Sequence, residues 1–170
     1  MIYKVVKYPE KVLERPSEPI TVFNGDLTKL VEDMFETMYA AHGVGLAAPQ
    51  IGIAKRLVVI DVSFGEDSQQ KMVLCNPEVI HTAGKMSMEE GCLSLPGFRA
   101  PLSRPKTVTV RAQDLNGEWF EKTGEELLAR AFCHETDHLN GRLFITHLSV
   151  LRRDLIKRRI RKMIKAGEWP

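Results

Sequence analysis

The sequence lacks any long run of apolar residues among its 170 positions. Nothing approaches the roughly 20 apolar residues that a membrane-spanning helix needs. The first fifteen residues also lack the apolar segment that is typical of a secretory signal. We therefore expect a protein with no membrane partner, and a cytoplasmic location is the simplest interpretation.

Cysteine is also scarce, and internal repeats, low-complexity tracts and Asn-linked glycosylation sequons are absent. Cys75, Cys92 and Cys133 are an odd number with no paired spacing, which does not fit a disulfide framework and is typical of a reducing compartment. With 44% hydrophobic residues, the chain is long enough for one domain over residues 1–170 with a sizeable core.

Charge is unevenly distributed although the net charge is only +2. The segment Ser149–Pro170 contains eight Lys or Arg and two acidic residues, so it carries +6 and the preceding residues carry −4. An apolar stripe runs through this basic segment and predicts an amphipathic C-terminal helix over residues 148–165. A solvated outer face is the common role of such a helix.

Helices at both ends with strands between them predict an α+β fold with antiparallel sheets. Apolar residues at helical spacing predict a first helix over Asp26–Ala41, with Asp26 as its N-cap and Gly43 beyond its end. Alternating or β-branched runs predict three strands: Arg56–Val62, Lys71–Cys75 and Lys106–Ala112. The Asn116-Gly117 pair that follows predicts a hairpin.

A further, mainly apolar helix over Glu125–Leu139 contains an H-E-x-x-H pattern at residues 134–138. Histidines four apart lie on one helical face, so His134 and His138 can bind one metal ion while Glu135 reaches a metal-bound water. We expect this metal-binding helix at the centre of the fold. The pattern predicts metal-assisted hydrolysis and leaves the third protein ligand open.

Two familiar sources of a third ligand are missing. The metzincin pattern would place a histidine where this chain has Phe144, and no acidic residue follows Asp154 until Glu168 near the chain end. The other histidines are poorly spaced or lie in unremarkable polar surroundings: His42, His81 and His147.

Cys92 lies in the glycine-containing segment Glu90–Pro96, EGCLSLP. This segment could bring a thiolate close to the two histidines, and a Cys-His-His site with water in the fourth position is a known catalytic arrangement. A buried inert thiol is the commoner fate of a free cysteine. From the residues alone both interpretations of Cys92 stay open, and we expect the inert role for Cys75 and Cys133.

Three short segments stand out together and in order: GVGLAAPQ at Gly43–Gln50, EGCLS at Glu90–Ser94 and HETDH at residues 134–138. Together they resemble the three signature motifs of the peptide deformylase family, and the resemblance spans essentially the whole chain. One departure is Cys133, where many members have glutamine. Because this position is rotated away from His134, we expect it to affect packing and not the chemistry.

The first motif also fits a loose dinucleotide pattern, G-x-G-x-x-A. That pattern requires a strand before it and a helix after it. Here a helix precedes the glycines and Pro49 follows closely. We therefore expect no dinucleotide, and glycines that let backbone approach a substrate are the better interpretation.

The family resemblance implies a mechanism and a set of site residues. One divalent metal ion is held by three ligands: Cys92, His134 and His138. Glu135 acts as general base and acid, while the oxyanion is stabilised by the Gln50 side-chain amide and the Leu93 backbone N–H. The resemblance favours ferrous iron in the cell, with zinc, nickel or cobalt able to occupy the site.

The resemblance also implies a substrate and partners. The substrate is the N-terminal formyl-methionine of nascent polypeptides, which is cleaved to formate and a free amine. Gly43, Val44 and Gly45 lie beside it. The ribosome is an expected partner of the basic C-terminal helix through phosphate contacts, and a bacterial cytoplasm is the expected location.

Some roles and two other functional classes stay open. In the family, the region of Glu90 and Arg99 flanks the methionine side chain, but Arg99 fits a solvated loop equally well. Asp137 is either a surface carboxylate or a residue that orients a ligand or pairs with Arg104. The competing classes are an RNA-binding module with a structural metal and a hydrolase that uses Cys92 as its nucleophile.

Overall fold

The computed structural model describes residues 1–170. Its α-helices are α1 (Gly25–Ala40), α2 (Leu127–Leu139) and α3 (Val150–Lys165). Its strands are β1 (Gly45–Ala47), β2 (Leu57–Ile60), β3 (Met72–Ala83), β4 (Met86–Gly91), β5 (Arg99–Arg104), β6 (Thr107–Gln113) and β7 (Trp119–Glu125). No helix combines the length and apolar character needed to cross a membrane. The α+β class is confirmed.

All strand pairings between these elements are antiparallel. Five strands form one sheet in the order β1-β2-β3-β6-β7, and β4 and β5 form a separate two-stranded sheet. The hairpin predicted around Asn116 and Gly117 joins β6 to β7, with Gly117 at a φ of +80°. Strand β1 is therefore one edge of the larger sheet.

The larger sheet lies between α1 and α2. Successive side chains of a strand point to opposite faces, so Leu57 and Val59 of β2 pack in the cluster with α1, and Val58 and Ile60 pack in the cluster with α2. Helix α2 contacts all five strands of this sheet. The prediction that the metal-binding helix is central is confirmed.

A third apolar cluster joins the small sheet to the C-terminal helix. It includes Ala100 and Leu102 of β5, Phe144 in the turn after α2, and Ile160 of α3. Ile160 is fully buried although its neighbours in α3 are basic and exposed. The amphipathic C-terminal helix thus packs by a narrow apolar face, and it begins two residues later than predicted.

The helix boundaries differ from the sequence prediction for local reasons. Asn24, not Asp26, caps α1, because its side chain accepts hydrogen bonds from Asp26 N at 3.1 Å and Leu27 N at 3.2 Å. The helix ends at Ala40 with His42, not Gly43, in the left-handed region at φ +58°. Helix α2 begins at Leu127, since β7 continues to Glu125.

Three strands were not predicted from the sequence: β1, β4 and β5. Strand β1 is only three residues long, and it lies inside the glycine motif, so its pairing with β2 is what defines it. Strand β4, MSMEEG, has no β-branched residue. Pairing with β5 defines this strand: Met86 lies opposite Arg104, and Gly91 lies opposite Arg99.

Candidate metal centre

The two histidines of the H-E-x-x-H pattern converge as the helical spacing predicts. Helix α2 places His134 Nε2 3.2 Å from His138 Nε2. His138 is almost completely buried, and burial together with the neighbouring His134 lowers the pKa of His138 well below its usual range. A neutral imidazole is the form that binds a metal.

Cys92 joins the histidines, whereas the other cysteines do not. It follows β4, and its Sγ lies 3.3 Å from His138 Nε2. The donor atoms of Cys92, His134 and His138 all lie within 4.8 Å of one another. Cys75 is buried in the core beside α1, and Cys133 lines a different pocket. His42 and His81 are outside the cluster, and His147 bonds to Asp137 at 2.8 Å.

The environment of these three residues fits a cation. Glu90 Oε2 accepts from His134 Nδ1 at 2.8 Å, which leaves the lone pair of His134 Nε2 facing Cys92 and His138. Burial would lower the pKa of His134, but Glu135, Cys92 and Glu90 outweigh it and raise the pKa well above its usual range. The negative charges that would stabilise a proton on His134 would equally stabilise a metal ion bound to it. Two imidazoles and one thiolate are a donor set that suits a transition metal.

Glu135 presents a buried carboxyl group beside this cluster. Its Oε1 is buried without a hydrogen-bond partner, and burial raises the pKa of Glu135 to about 7. A pKa near neutrality suits a group that both accepts and donates a proton. The carboxyl lies against Gly45, since a Cβ on Gly45 would come within 2.7 Å of Glu135 Oε2.

Gln50 reaches the same centre from the short turn after β1. Its Oε1 accepts from Ala47 N at 3.0 Å, and its Nε2 donates to Ser94 Oγ at 3.2 Å. The Nε2 atom lies 3.7 Å from Cys92 Sγ. The Ala47 contact fixes which end of the amide faces the centre, so Gln50 presents its donor there. Ser94, which holds that donor, was not identified from the sequence.

Leu93 and the glycine motif complete the cavity wall. The Leu93 backbone N–H makes no hydrogen bond within the protein, so it is free to donate to a bound group. Gly43, Val44 and Gly45 line the same cavity of about 540 Å³ as Cys92, His134 and Glu135. A Cβ on Gly43 would come within 2.9 Å of Leu93 Cδ1. The sequence-predicted site residues therefore lie around one space.

Glu90 is the centre of a buried charge network that the sequence left undecided. It accepts from Arg104 Nε at 3.0 Å, Arg104 Nη2 at 2.7 Å and Arg130 Nη1 at 2.9 Å, in addition to His134. Burial alone would raise the pKa of Glu90, but the bonds from His134 and Arg104 hold it well below its usual range. Glu90 is thus ionised, and it orients His134.

Two more residues belong to this network and one lies outside it. Asp137 accepts from Arg104 Nη1 at 2.8 Å, so the pairing with Arg104 is the correct alternative for Asp137. Arg130 was not identified from the sequence, although an arginine four residues before His134 in an apolar helix was a usable signal. Arg99 is part of β5 and lines the cavity with an exposed side chain.

A structural metal site usually closes with four protein ligands and needs no base beside it. This centre has three residues that could hold a metal ion, and a buried carboxyl group lies beside them. The arrangement defines the class as a metal-dependent hydrolase.

Comparison with known proteins identifies the family within this class. A family model described as polypeptide deformylase matches residues 2–154. A peptide deformylase of Acidobacterium capsulatum is 63% identical over 169 residues, which cover 99% of both chains. A crystal structure of a peptide deformylase from Legionella pneumophila has a TM-score of 0.90 at 44% identity over 98% of both chains. One from Plasmodium falciparum has a TM-score of 0.88 at 34% identity over 96% of both chains.

The chain belongs to the polypeptide deformylase family, as the three motifs predicted. Its activity is the metal-dependent removal of the N-formyl group from nascent polypeptides. The family binds a catalytic metal, and this structure has the corresponding group of Cys92, His134 and His138.

The contact between Gly45 and Glu135 gives a direct test of the cavity geometry. We expect Gly45→Ala to lower kcat for a formyl-methionyl peptide by about a hundredfold, because a displacement near 1 Å has an effect of this size. The new Cβ would also meet Glu135 Cγ and Cδ at 3.0 Å. The matched control is Gly25→Ala, whose Cβ has no atom within 4 Å. Equal activity of the two variants would contradict this geometry.

Proposed function

We propose that Glu135 is the general base and acid of the deformylation. It takes a proton from the water that attacks the formyl carbon and passes that proton to the departing amine. The burial of Glu135, its unpartnered Oε1 and its raised pKa support this role. The buried carboxyl group of Glu135 is the feature that most clearly distinguishes a catalytic metal centre from a structural one.

Cys92, His134 and His138 are the proposed ligands of the metal. These residues would hold a divalent ion, which would supply activation of water and polarisation of the formyl oxygen. We propose ferrous iron as the ion in the cell, on the resemblance of the motifs to the family, with zinc, nickel or cobalt as substitutes. The donor set suits several of these first-row metals, and affinity order does not select one of them.

The proposed oxyanion donors are the Gln50 side-chain amide and the Leu93 backbone N–H. Gln50 is held by Ala47 and Ser94 with Nε2 toward the centre, and the Leu93 N–H has no partner in the protein. Both donors are therefore in place before the reaction begins. Each such donor typically lowers the barrier by about 3 kcal/mol.

The proposed substrate-binding segment comprises Gly43, Val44 and Gly45. Strand β1 is an edge strand that pairs only with β2, so its other edge can pair with an extended polypeptide. Gly45 lets backbone and the Glu135 carboxyl approach each other closely. A substrate that pairs there would place its formyl end at the metal centre.

A hydrolase that used Cys92 as its nucleophile is the main alternative chemistry. Because Cys92 Sγ lies within 3.3 Å of His138 Nε2, a thiol–imidazole pair is geometrically available. Chelation separates the two mechanisms. The metal mechanism predicts that a chelator abolishes formate release and that added ferrous iron restores it, whereas retained activity after complete metal removal would favour the cysteine mechanism.

We also propose that the enzyme acts in a bacterial cytoplasm and docks on the ribosome through α3. Relatives that are 48% to 63% identical to this chain are bacterial proteins. The exposed face of α3 is strongly basic, and ribosomal RNA is polyanionic. Six of its basic residues are exposed: Arg152, Arg158, Arg159, Arg161, Lys162 and Lys165.

Substitution tests this docking better than truncation, because Ile160 is fully buried between the basic residues. We expect a variant with glutamine at Arg158, Arg159, Arg161 and Lys162 to bind ribosomes about tenfold or more weakly at low salt, with a smaller salt dependence. Its turnover of a short formyl peptide should not change. Ribosome pelleting over a salt series measures the first effect.

The control for this variant carries the same charge change elsewhere. It replaces four exposed lysines outside α3 with glutamine: Lys11, Lys85, Lys106 and Lys122. Equal weakening in both variants would indicate nonspecific attraction, and unchanged binding of the α3 variant would contradict docking through α3.

A further inference from the structure

Phe64, at the rim of the catalytic cavity, combines exposure with an unusual backbone. The residue is 61% exposed, and its φ of +55° lies in the left-handed region, where a bulky residue is uncommon. Phe64 lines the same cavity as Cys92, His134 and Glu135. Strained backbone that persists beside a reaction centre often has a role there.

The loop that carries Phe64 is held by the buried carboxylate of Asp61, directly after β2. This carboxylate accepts from Ser63 N at 2.9 Å, Ser63 Oγ at 2.6 Å and Gly65 N at 3.0 Å. The Tyr39 hydroxyl of α1 donates to it as well. Residues on both sides of Phe64 are thus bound to one group, so the backbone that carries the ring is held at the rim of the cavity.

The same loop is attached to the substrate-binding segment. Asp61 N donates to Val44 O at 2.8 Å, next to the edge of β1 where we place the substrate backbone. A polypeptide whose formyl end lies at the metal centre has to leave the cavity across its rim. A substrate that runs along Val44 would therefore carry the side chains after the methionine toward the loop of Phe64.

We propose that Phe64 is a specificity-determining residue for the part of the nascent chain beyond formyl-methionine. Its ring binds an apolar or aromatic side chain at the second or third position of the substrate. Covering about 50 Å² of apolar surface corresponds to a preference of about fivefold to tenfold in kcat/KM over a serine at that position. This proposal rests on the deformylase function and refines its substrate class.

The test compares kcat/KM for formate release from two peptide series, formyl-Met-Xaa-Ala and formyl-Met-Ala-Xaa, with Phe, Leu, Ser or Asp as Xaa. The main variant is Phe64→Asn, since asparagine accepts positive φ more readily and removes the ring without added strain. Phe64→Leu retains an apolar side chain. The control is Trp119→Thr, which removes an exposed ring from the edge strand β7 outside the cavity.

Wild type should prefer Phe and Leu over Ser in at least one series, Phe64→Asn should bring that ratio close to one, and Phe64→Leu should keep part of it. Trp119→Thr should keep the wild-type ratio. Three results would each overturn the proposal. The first is an equal loss of kcat/KM for all substrates in Phe64→Asn, the second is no side-chain preference in wild type, and the third is a wild-type preference for Asp because of Arg99. If wild type released no formate from any peptide, the deformylase function itself would be contradicted. That result differs from formate release without any side-chain preference, which would contradict only the role of Phe64.

Discussion

Replacing Glu135 with glutamine should lower kcat/KM for a formyl-methionyl peptide by about a hundredfold to ten-thousandfold, the usual contribution of a general base. The amide keeps the shape of the side chain but cannot take a proton from water. The proposed metal ligands His134 and His138 are unchanged, so metal content should stay at the wild-type level. Formate release measures the first effect, and elemental analysis of the purified protein measures the second.

The matched control for this experiment is Glu125→Gln, the same chemical change at an exposed position before α2. It should retain wild-type activity. A Glu135→Gln variant that kept more than about a third of wild-type kcat/KM with full metal content would show that another group moves the proton.

Replacing Glu90 with glutamine should destabilise the protein more than most single substitutions. Glu90 is 5% exposed and binds both Arg104 and Arg130, which are also buried. Removing one partner of a buried ion pair typically lowers the free energy of unfolding by about 3–5 kcal/mol, because the remaining charges are uncompensated. Urea unfolding of metal-free protein measures this effect separately from metal binding.

The same variant should also bind metal more weakly. Glu90 accepts the hydrogen bond of His134 Nδ1, and loss of such an orienting bond typically lowers metal affinity by about tenfold to a hundredfold. The neighbouring Glu89→Gln is the control, since its side chain is 64% exposed and lies 3.9 Å from Arg99. Equal behaviour of the two variants would contradict the role assigned to the Glu90 network.

The parts of the site that depend on local geometry were predictable from the sequence. Histidines four apart on a helix share a face whatever surrounds that helix, so His134, Glu135 and His138 could be placed from α2 alone. Cys92 and Gln50 required the family resemblance, because no spacing rule connects them to α2. The structure brings Gln50, Cys92, His134 and Glu135 to one cavity, and His138 Nε2 lies 3.3 Å from Cys92 Sγ beside it.

The charge network was not predictable because its members meet only through tertiary structure. Glu90 comes from β4, Arg104 from β5, and Arg130 and His134 from α2. The pairing of β4 with β5 sets the positions of the first two residues, and β4 has no strong strand signal of its own. A buried acid between two arginines and a histidine became recognisable only when those elements were placed.

The central claim is metal-dependent removal of an N-terminal formyl group. Its most direct test is formate release from a formyl-Met-Ala-Ser peptide by wild-type protein loaded anaerobically with ferrous iron. We predict one formate for each peptide amine that becomes free, and no formate from the same protein after chelation. Failure of the iron-loaded protein to release formate would contradict the account.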